Sequence, residues 1–184
     1  MKKDKLDAFT DAVVAIIITL MVLEIKLPAV TADNLLNVLA HIGIYALSFV
    51  VIGITWINYN TIFKHIEHIN AKIIWFNLGF LFMLSLVPLP TQALGENFYT
   101  KESHMFYGII LTCVSLFYTL MQYAANPYIT TLSKRELKRS NNKCWLAISL
   151  YALNVPLSLL SIYLSAAIFV LMPLMYFLPE KKLI

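Results

Sequence analysis

Residues 7–28 read "DAFTDAVVAIIITLMVLEIKLP", a run long and apolar enough to cross a lipid bilayer that nevertheless carries Asp11 and Glu24 near its ends and Thr19 in its middle. A spanning helix needs about 20 mostly apolar residues, and a plain anchor has no use for the three polar ones. Composition supports the membrane reading. Of 184 residues, 60% are hydrophobic and 13% charged, and the mean hydropathy is +0.75. These values exclude an ordinary soluble domain and predict an all-α integral membrane protein. The stretch lacks the charged start, short apolar core and small-residue cleavage site of a removable signal, so it is expected to stay in the mature chain. Cys113 and Cys144 lie far apart in apolar surroundings with no CxxC pair and no neighbouring His cluster. That argues for packing roles and against a zinc site or a disulfide.

Outward from this stretch, six apolar runs predict one six-helix transmembrane domain over residues 1–184, with spans at about 6–27, 36–63, 71–94, 103–126, 141–160 and 162–179. The first is expected to stop at Pro28, the third to kink or end at Pro88 and Pro90, and the fourth to close at Asn126 and Pro127. The last two carry Pro156 and Pro173 and are separated only by a short link at Ser161, which predicts a tight antiparallel hairpin. Six spans place both termini on one side of the membrane. Lys2, Lys3, Lys5, Lys64, Lys72, Lys134, Arg135, Lys138, Arg139, Lys143, Lys181 and Lys182 all fall on that side, against Lys26 and Lys101 on the other. Basic residues in short loops are retained in the cytoplasm, so both termini are predicted to be cytoplasmic. The net charge of +4 then needs no nucleic acid to explain it. Residues 29–37 read as a cap and a short interfacial helix. Residues 133–143, "SKRELKRSNNK", read as a solvated loop with a helical turn, on which anionic headgroups can rest as on most such loops.

Helical periodicity puts Ala12, Ile16, Thr19, Leu20 and Leu23 on one stripe of the first span. The stripe alone is equally what a helix-packing face looks like. Asp11 points to another side, and an ionisable group inside a span costs about 2.5–3.5 kcal/mol on insertion scales unless it finds partners. Trp56, Asn58 and Asn60 on the second span and Asn77 on the third are candidate partners. The alternative is an Asp that satisfies free backbone amides at the helix start. Thr19 either faces the stripe or bonds back to the carbonyl of Ala15. Glu24 sits at an outer mouth, or pairs with Lys26, or faces solvent. His65 and His68 are three apart but have no evident third ligand, so no metal site is expected; His41 and His104 read as interface residues.

"KLDAFTDAVVAIIITLMVLEI", residues 5–25, resembles the opening helix of the bacterial and archaeal relatives of transmembrane protein 175, the endosomal and lysosomal potassium channel. That family carries an Arg-x-x-x-Phe-Ser-Asp motif, which here reads Lys5-x-x-x-Phe9-Thr10-Asp11. The likeness continues through "FVVIGITWINYN" and "WFNLGFLFMLSLVPLPTQALGE". Lys5 replaces the charge of the family's Arg without its bidentate fork. Where the family often shows a pair of His after Trp56, this chain has Tyr59 and Asn60, so no role of those histidines is carried over.

The resemblance implies a homotetramer in a prokaryotic plasma membrane, with the first helix of each subunit lining a central potassium pore. Membrane lipids and potassium ions are then its other partners, and no cofactor is needed. Its constriction falls on Ile16, with Leu20 and Leu23 further out. A ring of four Ile16 side chains offers no ligands and gates by dewetting. Potassium, which sheds water at lower cost than sodium, is favoured, more weakly than by a carbonyl filter. The family links a threonine at the position of Thr19 to selectivity. The chain has no TVGYG-type loop and no Arg-repeat voltage sensor. Lys5, Phe9, Thr10 and Asp11 form the structural motif, supported by Trp56, Asn60 and Asn77.

Other classes fit less well. A membrane enzyme needs clustered acids, bases or metal ligands, and the acidic residues here are dispersed. A proton-coupled transporter using Asp11 would leave the chain without an apparent inverted repeat. A bare scaffold leaves Asp11 and Thr19 unexplained.

Overall fold

A computed structural model describes residues 2–177, with side chains through residue 174. The described residues are all-α: α1 Lys3–Leu23, α2 Leu35–Phe63, α3 Ala71–Ser85, α4 Pro88–Glu96, α5 Lys101–Ala125, α6 Lys134–Leu160 and α7 Ile162–Phe177. The runs Lys3–Leu23, Ala32–Phe63, Ala71–Glu96, Lys101–Tyr128 and Lys134–Leu160 are each long and apolar enough to cross a bilayer, and Ile162–Leu174 is a shorter apolar helix. The end expected for the last span, residue 179, lies outside the described residues, as do Lys181 and Lys182.

Helix limits follow local chemistry. α1 stops at Leu23 rather than at Pro28: the Glu24 amide closes on the Leu20 carbonyl at 3.2 Å. Beyond it, Pro28 disfavours helical backbone at the preceding residue, and Lys26 reaches across to Glu96 at 3.5 Å. The third span breaks into α3 and α4 where Pro88 and Pro90 withhold their amides. The carbonyls of Leu84 and Leu86 then accept one residue early, from Val87 at 3.1 Å and Leu89 at 3.1 Å, so the break is a tightened turn. Residues 29–37 hold a 3-10 turn, Ala32–Asn34, that runs straight into α2.

The expected loop at residues 133–143 is instead the opening of α6. Ser133 and Glu136 make a reciprocal capping box, with the Ser133 side chain accepting from the Glu136 amide and Glu136 accepting from the Ser133 amide at 2.9 Å. The basic residues that follow are good helix formers.

Alternating helix directions bring the connections to two ends. At the end rich in Lys and Arg, the α2–α3 and α5–α6 connections are strapped together by an Ile66–Ile129 bridge and by hydrogen bonds from Thr130 to Glu67 (2.7 Å) and from Asn70 to Tyr128 (3.1 Å), with His65 against Thr131. At the opposite end sit the Lys26–Glu96 pair and Gly95 against His41. The core between is aromatic: Tyr59 stacks on Phe63 at 4.0 Å, Phe80 meets Tyr118 edge-on, and Tyr107 meets Phe169 at 4.7 Å. α3 and α5 come so close that Gly79 faces the ring of Phe117 with no room for a Cβ.

Candidate functional site

α1 has two unlike faces. Leu6, Thr10, Val14, Ile17 and Met21 are buried against α2 and α3, at the spacing of one helical side. On the other side Ala12, Ile16, Thr19, Leu20 and Leu23 are uncovered; Ile16 is 55% exposed, Leu20 50% and Leu23 77%. Phe9, seven residues before Ile16, belongs to the same edge and is also exposed. Lys5 is exposed as well. The motif Lys5-x-x-x-Phe9-Thr10-Asp11 is therefore split: Thr10 points inward, Lys5 and Phe9 outward, and Asp11 sideways to α2.

Two hydrogen-bonded clusters hold α1 in this rotation. Trp56 on α2 donates its indole N–H to Asp11 Oδ1 at 2.7 Å. Below it runs a one-way relay: Asn77 on α3 donates to Thr10 Oγ1 (3.0 Å), Thr10 donates to the Tyr59 hydroxyl (3.2 Å), and Tyr59 donates to Asp7 Oδ1 (3.2 Å). Thr10, Tyr59 and Asn77 have no exposure at all, so the two bonds at Thr10 form out of reach of lipid and water, while the last link, to half-buried Asp7, lies nearer the surface. Asn77 Oδ1 is buried without a partner among the described residues. Asn60 makes no side-chain hydrogen bond there and does not join either cluster.

Tyr59 and Asp7 were not singled out from the sequence, yet the signal existed. Asp7 and Asp11 are four apart on α1, and Trp56 and Tyr59 three apart on α2, so an antiparallel pair of helices presents two acceptors to two donors.

Thr19 donates to the carbonyl of Ile16 at 2.8 Å, one residue nearer than the Ala15 carbonyl expected. Lys26 pairs with Glu96 and not with Glu24, which is exposed. His104 is not an interface residue: it is 1% exposed, bonded to the Phe98 carbonyl at 2.8 Å and to Ser165 at 3.1 Å. No group of three or more His, Cys, Asp or Glu is placed to hold a metal ion among the described residues. Cys113 and Cys144 are free thiols, Cys144 buried.

A family model described as endosomal/lysosomal potassium channel TMEM175 matches residues 5–88, which hold α1, α2 and α3. A potassium channel of Chryseobacterium sp. (strain P1-3) is 33% identical over 185 residues, covering 100% of this chain and 96% of its own length. One from Chamaesiphon minutus is 26% identical over 178 residues, covering 89% and 88%. The crystal structure of a lysosomal potassium-selective channel TMEM175 homolog from Chamaesiphon minutus superposes with a TM-score of 0.80 over 95% of both chains, at 23% identity. These relatives are channels, not enzymes. Full-length similarity, the matched first three helices and the shared helical fold converge: this multi-pass membrane chain belongs to the TMEM175 potassium-channel family.

Proposed function

We propose that the chain is a single-domain channel subunit of a prokaryotic plasma membrane, with both termini cytoplasmic, and that four copies meet along the uncovered edge of α1 to form a potassium pore. One observation carries the reading: an apolar edge, Ile16, Leu20 and Leu23, that the other helices leave uncovered and that bears one oriented hydroxyl. The Thr19 proton is committed to the Ile16 carbonyl, so the oxygen's lone pairs remain to face a passing cation. Four such oxygens replace part of its hydration, and four Ile16 side chains beside them make a ring that offers nothing in return. Potassium passes more readily than sodium because it is dehydrated at lower cost. A small inward rotation of α1 narrows the ring until water leaves it. Asp11–Trp56 and the Thr10–Tyr59 relay set that rotation, and Phe9 lies on the same edge nearer the cytoplasm.

Bilayer recording of purified protein under potassium and sodium gradients tests this. Current in symmetric potassium with no proton gradient is expected, with a reversal potential that favours potassium; saturating, proton-dependent transport identifies an Asp11-based carrier instead. Replacing Ile16 by Asn wets the ring and should raise potassium flux into liposomes several-fold. Unchanged flux and selectivity remove Ile16 from the gate.

A further inference from the structure

The uncovered edge of α1 carries a charge at one end. Lys5 and Leu23 are about five full turns apart and fall on one line along the helix, with Ile16 about 20° from that line and roughly 16 Å beyond Lys5. Phe9 and Ala12 occupy the same edge between Lys5 and Ile16, and both are exposed. No other helix of the subunit therefore stands between the lysine and the apolar edge. Lys5 is itself exposed, and its side chain makes no hydrogen bond or ion pair among the described residues.

The acids of α1 are turned elsewhere. Asp4 lies about 100° round the helix from Lys5, and adjacent residues do not face each other. Asp7 accepts from Tyr59 and lies within Coulombic reach of Lys3. Asp11 accepts from Trp56. The ammonium of Lys5 is thus answered by no acid of its own subunit among the described residues. A ring of such charges at a pore mouth sets up a potential that thins cations there before they enter. The energy doubles for a doubly charged ion, so a potential that thins potassium by a given factor thins magnesium by the square of that factor.

We propose that four Lys5 ammoniums ring the cytoplasmic mouth of the pore, where they make the channel rectify inward and keep divalent cations out of it. Potassium leaving the cytoplasm must pass the ring before it reaches Ile16, whereas potassium arriving from outside meets the ring only on its way out. Lys5 acts on the ion through its field, and Phe9 and Ala12 line the vestibule between ring and constriction. This rests on the pore reading above, and the experiment separates the two.

The full-length channel is recorded in excised inside-out patches with the same potassium chloride solution on both sides. At about 0.1 M, outward current should be several-fold smaller than inward current at equal and opposite voltages. At about 1 M the ratio should approach one, because the Debye length falls from about 10 Å to about 3 Å. Lys5→Gln should give a ratio near one at both concentrations, Lys5→Glu should reverse it, and Lys5→Arg should keep it. Lys3→Gln removes a charge from the other side of the helix and should leave the ratio unchanged. Millimolar magnesium on the cytoplasmic side should spare the wild type and reduce outward current several-fold in Lys5→Glu. Potassium current with the same rectification in Lys5→Gln as in wild type overturns the ring and leaves the pore standing. Equal loss of rectification in Lys3→Gln also overturns it, because the charge of that whole end is then responsible. Failure of Lys5→Gln to assemble makes Lys5 a structural contact and overturns it too. Absence of any potassium current in the wild type overturns the pore and the ring together.

Discussion

At the residue scale, Tyr59 is the side chain with the most invested in the placement of α1. Its ring is sealed between Phe63 and Phe80, and its one hydroxyl both accepts from Thr10 and donates to Asp7. Replacing Tyr59 by Phe keeps the stack and deletes the relay. Hydrogen bonds between membrane helices contribute about 0.6 kcal/mol on average and up to roughly 1.7, so Tyr59→Phe should lower unfolding stability in detergent by about 1 kcal/mol. A stability equal to wild type means that Asp7 and Thr10 find other partners. The sequence showed the likelihood of such a cluster but not its members. Asp11 announced itself as an ionisable group in an apolar run, whereas a tyrosine among aromatic residues carries no mark that its hydroxyl is the junction. Asn60 shows the converse: a polar residue in a span that joins neither cluster.

At the element scale, hydrophobic run length located the helices well because the bilayer sets a minimum length; α2 at Leu35–Phe63 matches the expected 36–63 almost residue for residue. Ends governed by local hydrogen bonding were harder to place. α1 ends at Leu23, five residues before Pro28, and α6 begins at Lys134 inside a segment whose charge suggested a loop, because a capping box and helix-forming Lys and Arg outweigh the segment's polarity. Close helix approach was not legible at all: Gly79 and Gly53 look alike in sequence, yet a Cβ at Gly79 collides with Phe117 and one at Gly53 meets nothing within 4 Å. Gly79→Ala should therefore destabilise by about 1–3 kcal/mol through overpacking, while Gly53→Ala should be neutral or gain up to about 1 kcal/mol from helix propensity. Thermal unfolding of the two variants in the same detergent separates them; equal midpoints would mean that α3 and α5 can move apart without cost.

At the scale of the whole molecule, alternating helices bring the basic α2–α3 and α5–α6 connections to one end among the described residues, and a grouping of Lys and Arg in the connections is readable from sequence because it depends on loops and not on contacts. The strap joining the α2–α3 and α5–α6 connections was not readable, since it pairs segments some 60 residues apart through a single bridge. Asn70 is its joint: its side chain caps α3 by accepting from the Ile73 amide at 2.9 Å and donates to Tyr128. Asn70→Ala should cost about 0.5–2 kcal/mol through the lost cap and speed hydrogen exchange at the Glu67 and Ile129 amides, with exchange in mid-span unchanged. Unchanged exchange at Glu67 would show that the strap holds without it. The fixings of α1 are just as unequal. Buried bonds from Asn77 and to Tyr59 grip it at Thr10, while its far end is tethered beyond Glu24 by a lysine–glutamate pair whose side chains are 72% and 39% exposed. Dissolved salt weakens the second fixing and leaves the first untouched. The helix is thus built as a cantilever, and whatever load bends it will move Leu23 further than Phe9, the more so as ionic strength rises.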